Sequence, residues 1–195
     1  MDKDGNFPAP FTVISSQDVE NGKWSPRFDP KKSLNYLKVL ESQGEYPHVI
    51  WPVHCVIGST GAAIYQPLMD SIIDWTVKGK FYQTVAKGTF PFTEHFGAFR
   101  AQVPDAERPE TQLNQALIKT LDNFKNIYLA GEAKSHCVAN SLKQILEEAP
   151  ELADRFIVLT DAMSNVAGFE TLADPIYQKA KNMGVRFSTT AERLV

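Results

Sequence analysis

From residue 111 onward, short β-prone apolar runs alternate with stretches whose apolar positions recur at helical spacing. Leu113, Leu117, Ile118 and Leu121 predict a helix over 111–124, and the run Ile127, Tyr128, Leu129, Ala130 predicts a strand that Gly131 ends. Val138, Leu142, Ile145 and Leu146 then mark one face of a second helix. Phe156 to Leu159 predicts another strand, closing at Thr160-Asp161. A helix over 171–183 follows, with Gly184 as its C-terminal stop, and Val185 to Phe187 forms a last strand. This alternation predicts an α/β fold: a three-layer, Rossmann-like, mostly parallel sheet flanked by helices, in a single domain over 1–195. In such sheets function gathers at the carboxyl ends of strands.

The first half is less regular. Residues 1–30 are rich in Pro, Gly and Asp with scattered aromatics. Leu34, Leu37 and Leu40 predict a helix closed by Gly44, and His48 to Trp51 a short extended piece stopped by Pro52. Gly58 to Gly61 is a turn, and Ala62 to Trp75 has helical character interrupted at Pro67. Gln83 to Ala86 predicts a strand ending at Lys87-Gly88.

Composition narrows the classes of function. The 195 residues are 43% hydrophobic and 22% charged, which suits a globular chain with a sizeable core. A formal charge of −3 supplies no basic surplus to neutralise phosphates, which argues against nucleic acid as a partner. No apolar run approaches a membrane span, and MDKDGNFPAPF lacks the pattern of a signal peptide. Two cysteines, Cys55 and Cys137, do not make a disulfide scaffold in a chain this long. A cytoplasmic protein with free thiols is the expectation.

The candidate chemistry centres on AGEAKSHCVAN. Ser135 is the expected N-cap, which puts Cys137 in the first helical turn just past a strand end. Unpaired amides and the positive end of the helix dipole there favour a thiolate and could hold an oxyanion. A small cysteine packing a helix start is the plainer alternative. Lys87, at the end of an apolar run and before Gly88, could stabilise charge or move a proton beside that thiolate; a surface lysine is its plainer alternative. In WPVHC, Trp51 offers a flat face to a ring and His54 an imidazole, although one histidine makes no metal site.

Five motifs, in order, carry a family resemblance: WPVHCVIGSTGAAIYQPL, VAKGT, TEHFGAF, GEAKSHCVAN and VLTDAMSNVAGFE. The chain resembles the isochorismatase-like cysteine hydrolases, in particular their longer nicotinamidase-like members. The resemblance implies Cys137 as nucleophile on a small carboxamide, forming an acyl-enzyme and releasing ammonia, with Lys87 as its catalytic partner. It implies a cis peptide between Glu132 and Ala133 and an oxyanion hole from the amides of Ala133 and Cys137. Trp51 and Phe96 would line the substrate site, with His95 a weaker candidate, and His54 would ligate one divalent, zinc-like metal. No organic cofactor is implied; the partner is a small amide, with room for a homo-oligomer. Cys55 is taken as structural.

One part of the family pattern is missing. The aspartate that ends the family's first, central strand, and the Asp-x-His element with the other metal ligands, have no counterpart. The carboxylates before His54 end no hydrophobic strand. Asp161 belongs to the wrong strand and is expected to bond nearby backbone amides instead. The chain is therefore expected to be an N-terminally incomplete version of the family, poorly soluble and inactive, with the Lys87 segment separated from the Cys137 strand; were a divergent segment or a partner chain to fill the gap, weak activity is the expectation. Two other expectations stand beside the amidase: a remnant acting as a binding module, and a hydrolase acting on a different bond, such as a vinyl ether.

Overall fold

Two short strands and the longest helix organise the first part of the chain. In the computed structural model, which describes residues 1–192, the chain divides into two compact units that meet between Val85 and Ala86. In the first unit, β1 (Val13–Ile14) pairs antiparallel with β2 (His48–Val49). The short helix α1 (Ser16–Glu20) starts at a capping box, in which Ser15 and Asp18 each bond the other's backbone N–H. Helix α2 (Pro30–Ser42) is capped by Asp29, whose carboxylate accepts from Lys32 N at 3.0 Å. Its predicted stripe holds, with Tyr36, Leu37 and Leu40 buried.

Helix α3 (Gln66–Val77) follows a 3-10 turn at Thr60–Ala62. Pro67 does not interrupt it. The proline lies in the first turn, where its missing N–H has no intrahelical partner to lose. This apolar helix buries no residue, and Leu68, Ile73, Trp75 and Val77 are exposed.

Residues 80–89, where a strand ending at Lys87 was predicted, run without regular secondary structure and are exposed. The reason is the want of a neighbour. A strand needs partners for its N–H and C=O groups, and among the described residues none pairs with this run.

The second unit holds the α/β arrangement. Helix α4 (Gln115–Leu121) is shorter than its apolar pattern predicts, because Asn114 caps it by accepting from Leu117 N. Thr111, the predicted start, is buried in a separate 3-10 turn (Pro109–Thr111), where its hydroxyl bonds the backbone of Asp105 and Arg108. Then come β3 (Ile127–Leu129), a π-helical turn at Lys134–Val138, and helix α5 (Ala139–Glu148). A 3-10 segment (Pro150–Arg155) leads into β4 (Phe156–Leu159). Helix α6 (Asp174–Asn182) begins only at Asp174-Pro175 and stops before Gly184, whose φ is +93°. Strand β5 (Arg186–Ser188) closes the described chain.

Strands β3, β4 and β5 form one parallel sheet in that order, with Ile127 opposite Phe156 and Ile157 opposite Arg186. The core is built on α5. Leu142 and Ile145 are fully buried and pack with Phe156 and Val158 of the sheet and Tyr177 and Ala180 of α6. The predicted parallel α/β fold is therefore present, and among the described residues no strand lies on the outer side of β3. No described helix is long and apolar enough to cross a membrane.

Candidate active site

Cys137 lies in the π-helical turn between β3 and α5, just past the carboxyl end of a strand. The turn is closed by Val138 N and His136 N, which both donate to Ala133 O at 3.1 Å. The peptide between Glu132 and Ala133 is cis, as the family resemblance implies. Ser135 is not the N-cap. That place falls to Ala133, and Ser135 is fully buried, its hydroxyl 2.9 Å from His136 Nδ1 and accepting from Val166 N at 3.0 Å. The serine thus ties the cysteine turn to the loop after β4.

Lys87 and Cys137 are together. Lys87 Nζ lies 3.3 Å from Cys137 Sγ, donates to His95 O at 2.7 Å, and lies 3.5 Å from Phe96 O. The expected separation of the Lys87 segment from the cysteine does not occur: the lysine side chain spans to Sγ without its backbone joining a sheet. Among the described residues these contacts include no carboxylate. Four of the carboxylates upstream of His54 bond residues of their own unit. Asp2 bonds Asn6, Asp18 bonds Ser15 and Lys23, Asp29 caps α2, and Glu41 bonds Ser16. Asp161 bonds Thr190 N at 2.8 Å, and these bonds from Thr190 hold its carboxyl below the usual range. Its main partner is therefore Thr190, across the loops, with its own backbone amide in DAMSN a smaller contributor.

Two buried histidines flank the pair. His95 Nε2 donates to Glu110 O at 3.3 Å while Nδ1 is buried without a partner. Burial, with a smaller contribution from the Lys87 charge, pushes this imidazole below the usual histidine value. Burial lowers His136 likewise, and its ring meets Phe169 edge-on at 5.1 Å. Both imidazoles are neutral at neutral pH. The Phe96 side chain is buried, so what it offers the pair is its carbonyl.

Trp51 and His54 lie in the first unit. Their rings meet edge-on at 6.4 Å, and His54 Nδ1 is 2.6 Å from Pro52 O. Cys55 is exposed, with a φ of +50°. Among the described residues no three His, Cys, Asp or Glu side chains gather as a metal cradle, so His54 has no companions that fit the implied ion.

Sequence reasoning missed Ser141, Gln144 and Gly97. Gln144 and Ser141 follow Cys137 on one face of α5, at spacings of seven and four residues. A signal existed, since Gln144 is a polar residue flanked by the apolar stripe of ANSLKQILEE. Gln144 Oε1 accepts from Phe99 N at 3.0 Å and Arg100 N at 3.3 Å, and Nε2 donates to Arg100 O at 2.9 Å. Ser141 Oγ accepts from Ala98 N at 3.1 Å and donates to Cys137 O at 2.7 Å.

The parallel sheet flanked by helices is similar in fold to solved nicotinamidases, which have the isochorismatase-like fold. The crystal structure of the yeast nicotinamidase bound to the inhibitor nicotinaldehyde superposes with a TM-score of 0.57 at 14% identity, covering 96% of this chain and 72% of that one. An Acinetobacter baumanii nicotinamidase-pyrazinamidase gives 0.50 at 16% identity, over 95% of this chain and 68% of that one. In sequence, the chain is similar to the nicotinamidase of Saccharomyces cerevisiae: 26% identical over 139 residues, which are 70% of this chain. The match spans 58% of that relative's length. No protein-family model matches the chain. The chain thus resembles nicotinamidase-type, isochorismatase-like proteins in both sequence and fold.

Proposed function

We propose that this protein is a cysteine amidohydrolase of the nicotinamidase type, acting on a small aromatic carboxamide. The observation that carries the reading is the 3.3 Å approach of Lys87 Nζ to Cys137 Sγ in a turn at a strand end. The likeness to nicotinamidases, which by name hydrolyse an amide, supports the choice of substrate class.

In the proposed reaction the Cys137 thiol gives its proton to water, and the Lys87 ammonium stabilises the thiolate. Sγ attacks the amide carbonyl, forming a C–S bond while the carbonyl π pair moves to oxygen. The amides of Ala133 and Cys137 are proposed to bond that oxyanion. Collapse breaks the C–N bond, and the departing nitrogen takes a proton from Lys87, which water restores. Water then attacks the thioester and gives one proton to bulk water; the C–S bond breaks, releasing the carboxylic acid and regenerating the thiolate. Phe96 is the proposed substrate contact within the unit that carries Lys87 and Cys137. The neutral His95 and His136 carry no charge to compete with Lys87 for the thiolate.

One observation favours a second reading. Among the described residues no carboxylate accompanies Lys87 and Cys137 to pass protons between thiol and leaving group. Without such a group, turnover loses the roughly 10²- to 10⁴-fold that acid–base catalysis supplies, and the chain could serve as a binding module instead.

The test is ammonia release from nicotinamide by the folded chain beside Cys137→Ala. The amidase reading predicts slow release that the substitution abolishes. Release that survives the substitution would point to a reaction without the cysteine, and binding without release would support the module.

A further inference from the structure

The exposed, unpaired backbone around Lys87 raises the question of what fixes its ammonium against Cys137. Strand pairing does not, because residues 80–89 have no regular structure. The ammonium is held by what it touches: His95 O, Phe96 O and Sγ itself. Its position is therefore only as well defined as that of the two carbonyls.

Those carbonyls belong to a loop that α5 grips along one face. Ser141 accepts from Ala98 N, Gln144 bonds Phe99 N, Arg100 N and Arg100 O, and Arg100 reaches Glu148 at 2.9 Å. Cys137, Ser141, Gln144 and Glu148 step along the helix at spacings of four, three and four residues, so the contacts form one row. Gln144 is the centre of it. Its side chain is 1% exposed, and both amide atoms are engaged, with Nε2 also 3.2 Å from Gln102 Oε1. The loop lies so close that a Cβ built on Gly97 would fall 2.2 Å from Gln144 Oε1. Gly97 directly follows the two residues whose carbonyls hold Lys87.

We propose that Gln144 is a positioning residue. It fixes the loop of residues 95–102 to α5, the helix that follows directly on the Cys137 turn, and thereby sets where the Lys87 ammonium stands relative to Sγ. The inference rests on the Lys87–Cys137 pair of the proposed function, and concerns what holds that pair rather than which amide it cleaves.

The test reads the thiol directly. Cys137 in the full chain is labelled with iodoacetamide near pH 7 and quantified by peptide mass spectrometry, with exposed Cys55 as the reference in the same molecule. Lys87→Met is expected to slow Cys137 labelling about tenfold by removing the cation beside the thiolate. Gln144→Met keeps the length of the side chain but none of its hydrogen bonds, and should slow Cys137 to a similar extent while Cys55 is unchanged. The double variant should be no slower than Lys87→Met alone, because both act through one ammonium. Should Gln144→Met fail to fold by circular dichroism, Ser141→Ala is the milder lesion in the same row; it should slow labelling a few-fold, and again not in the Lys87→Met background.

A Cys137 rate unmoved by the Gln144 or Ser141 lesion, while Lys87→Met slows it, would overturn the inference alone. Multiplying effects in the double variant would do the same, since they would show Gln144 acting independently of the lysine. If Lys87→Met itself changes nothing, the Lys87–Cys137 reading fails and this inference falls with it.

Discussion

Lys87 reaches Cys137 from a stretch of chain that forms no strand, and the resulting 3.3 Å contact is the local fact on which the proposed chemistry depends. Replacing Lys87 with Met is expected to lower amide turnover by roughly 10²- to 10⁴-fold with the fold intact. Steady-state ammonia release alongside far-ultraviolet circular dichroism checks this, and an unchanged rate would remove the lysine from the mechanism. At this scale the sequence was legible where a residue type matched a motif. The cis peptide after Glu132 was legible that way, and the motifs also singled out Cys137 and Lys87, whose side chains lie together. Ser135 misled because a serine two residues before a helical cysteine has the look of a cap, whereas burial turned its hydroxyl toward Val166 N. Gln144 went unseen because its partners are backbone groups some forty-five residues away, and no local pattern encodes them.

The elements follow their apolar periodicity and end at their polar punctuation. Helix α5 shows what that periodicity builds: Leu142 and Ile145 have no exposed surface and form the centre of the core. Leu142→Ala should therefore destabilise the chain by about 2–5 kcal/mol, measured as a lowered urea midpoint. A loss below about 1 kcal/mol would mean that the site collapses around the smaller side chain. Helix α2 offers a milder test, since Asp29 bonds Lys32 N at its start. Asp29→Ala should remove about 1 kcal/mol, read by the same titration. Helix starts were the least legible feature. Apolar spacing continues upstream of α4 and α6, but Asn114 and Pro175 decide where the helices begin. The predicted strand over 83–86 failed for a different reason, as strand propensity becomes structure only beside a partner.

Across the whole molecule, the buried histidines share one direction. Burial holds His48, His95 and His136 below the usual histidine value. Unfolded, they return to about 6.5, so the unfolded chain binds more protons once the pH falls below that value. Stability should be full above about pH 6.5 and decline as the pH drops toward each folded value. Asp18, Glu170 and Glu192, held low by their hydrogen bonds, extend the same slope into the carboxylate range. Urea midpoints from about pH 7.5 down to about pH 5 check the sign, and a flat or rising profile would contradict it.

The parallel α/β class was legible because alternation is written along the chain, and solved nicotinamidases share that fold. What the sequence alone could not convey was that a lysine on an unpaired segment would still meet the cysteine, since side-chain reach depends on the loop that holds it. In the proposed reaction Cys137 carries the acyl group of an amide. The most direct measurement is intact and peptide mass spectrometry of the chain, acid-quenched while it turns over nicotinamide. A hydroxylamine-sensitive nicotinoyl adduct on the Cys137 peptide, absent from Cys137→Ala, is the predicted result. Ammonia release with no adduct, or with an adduct on another residue, would contradict the account.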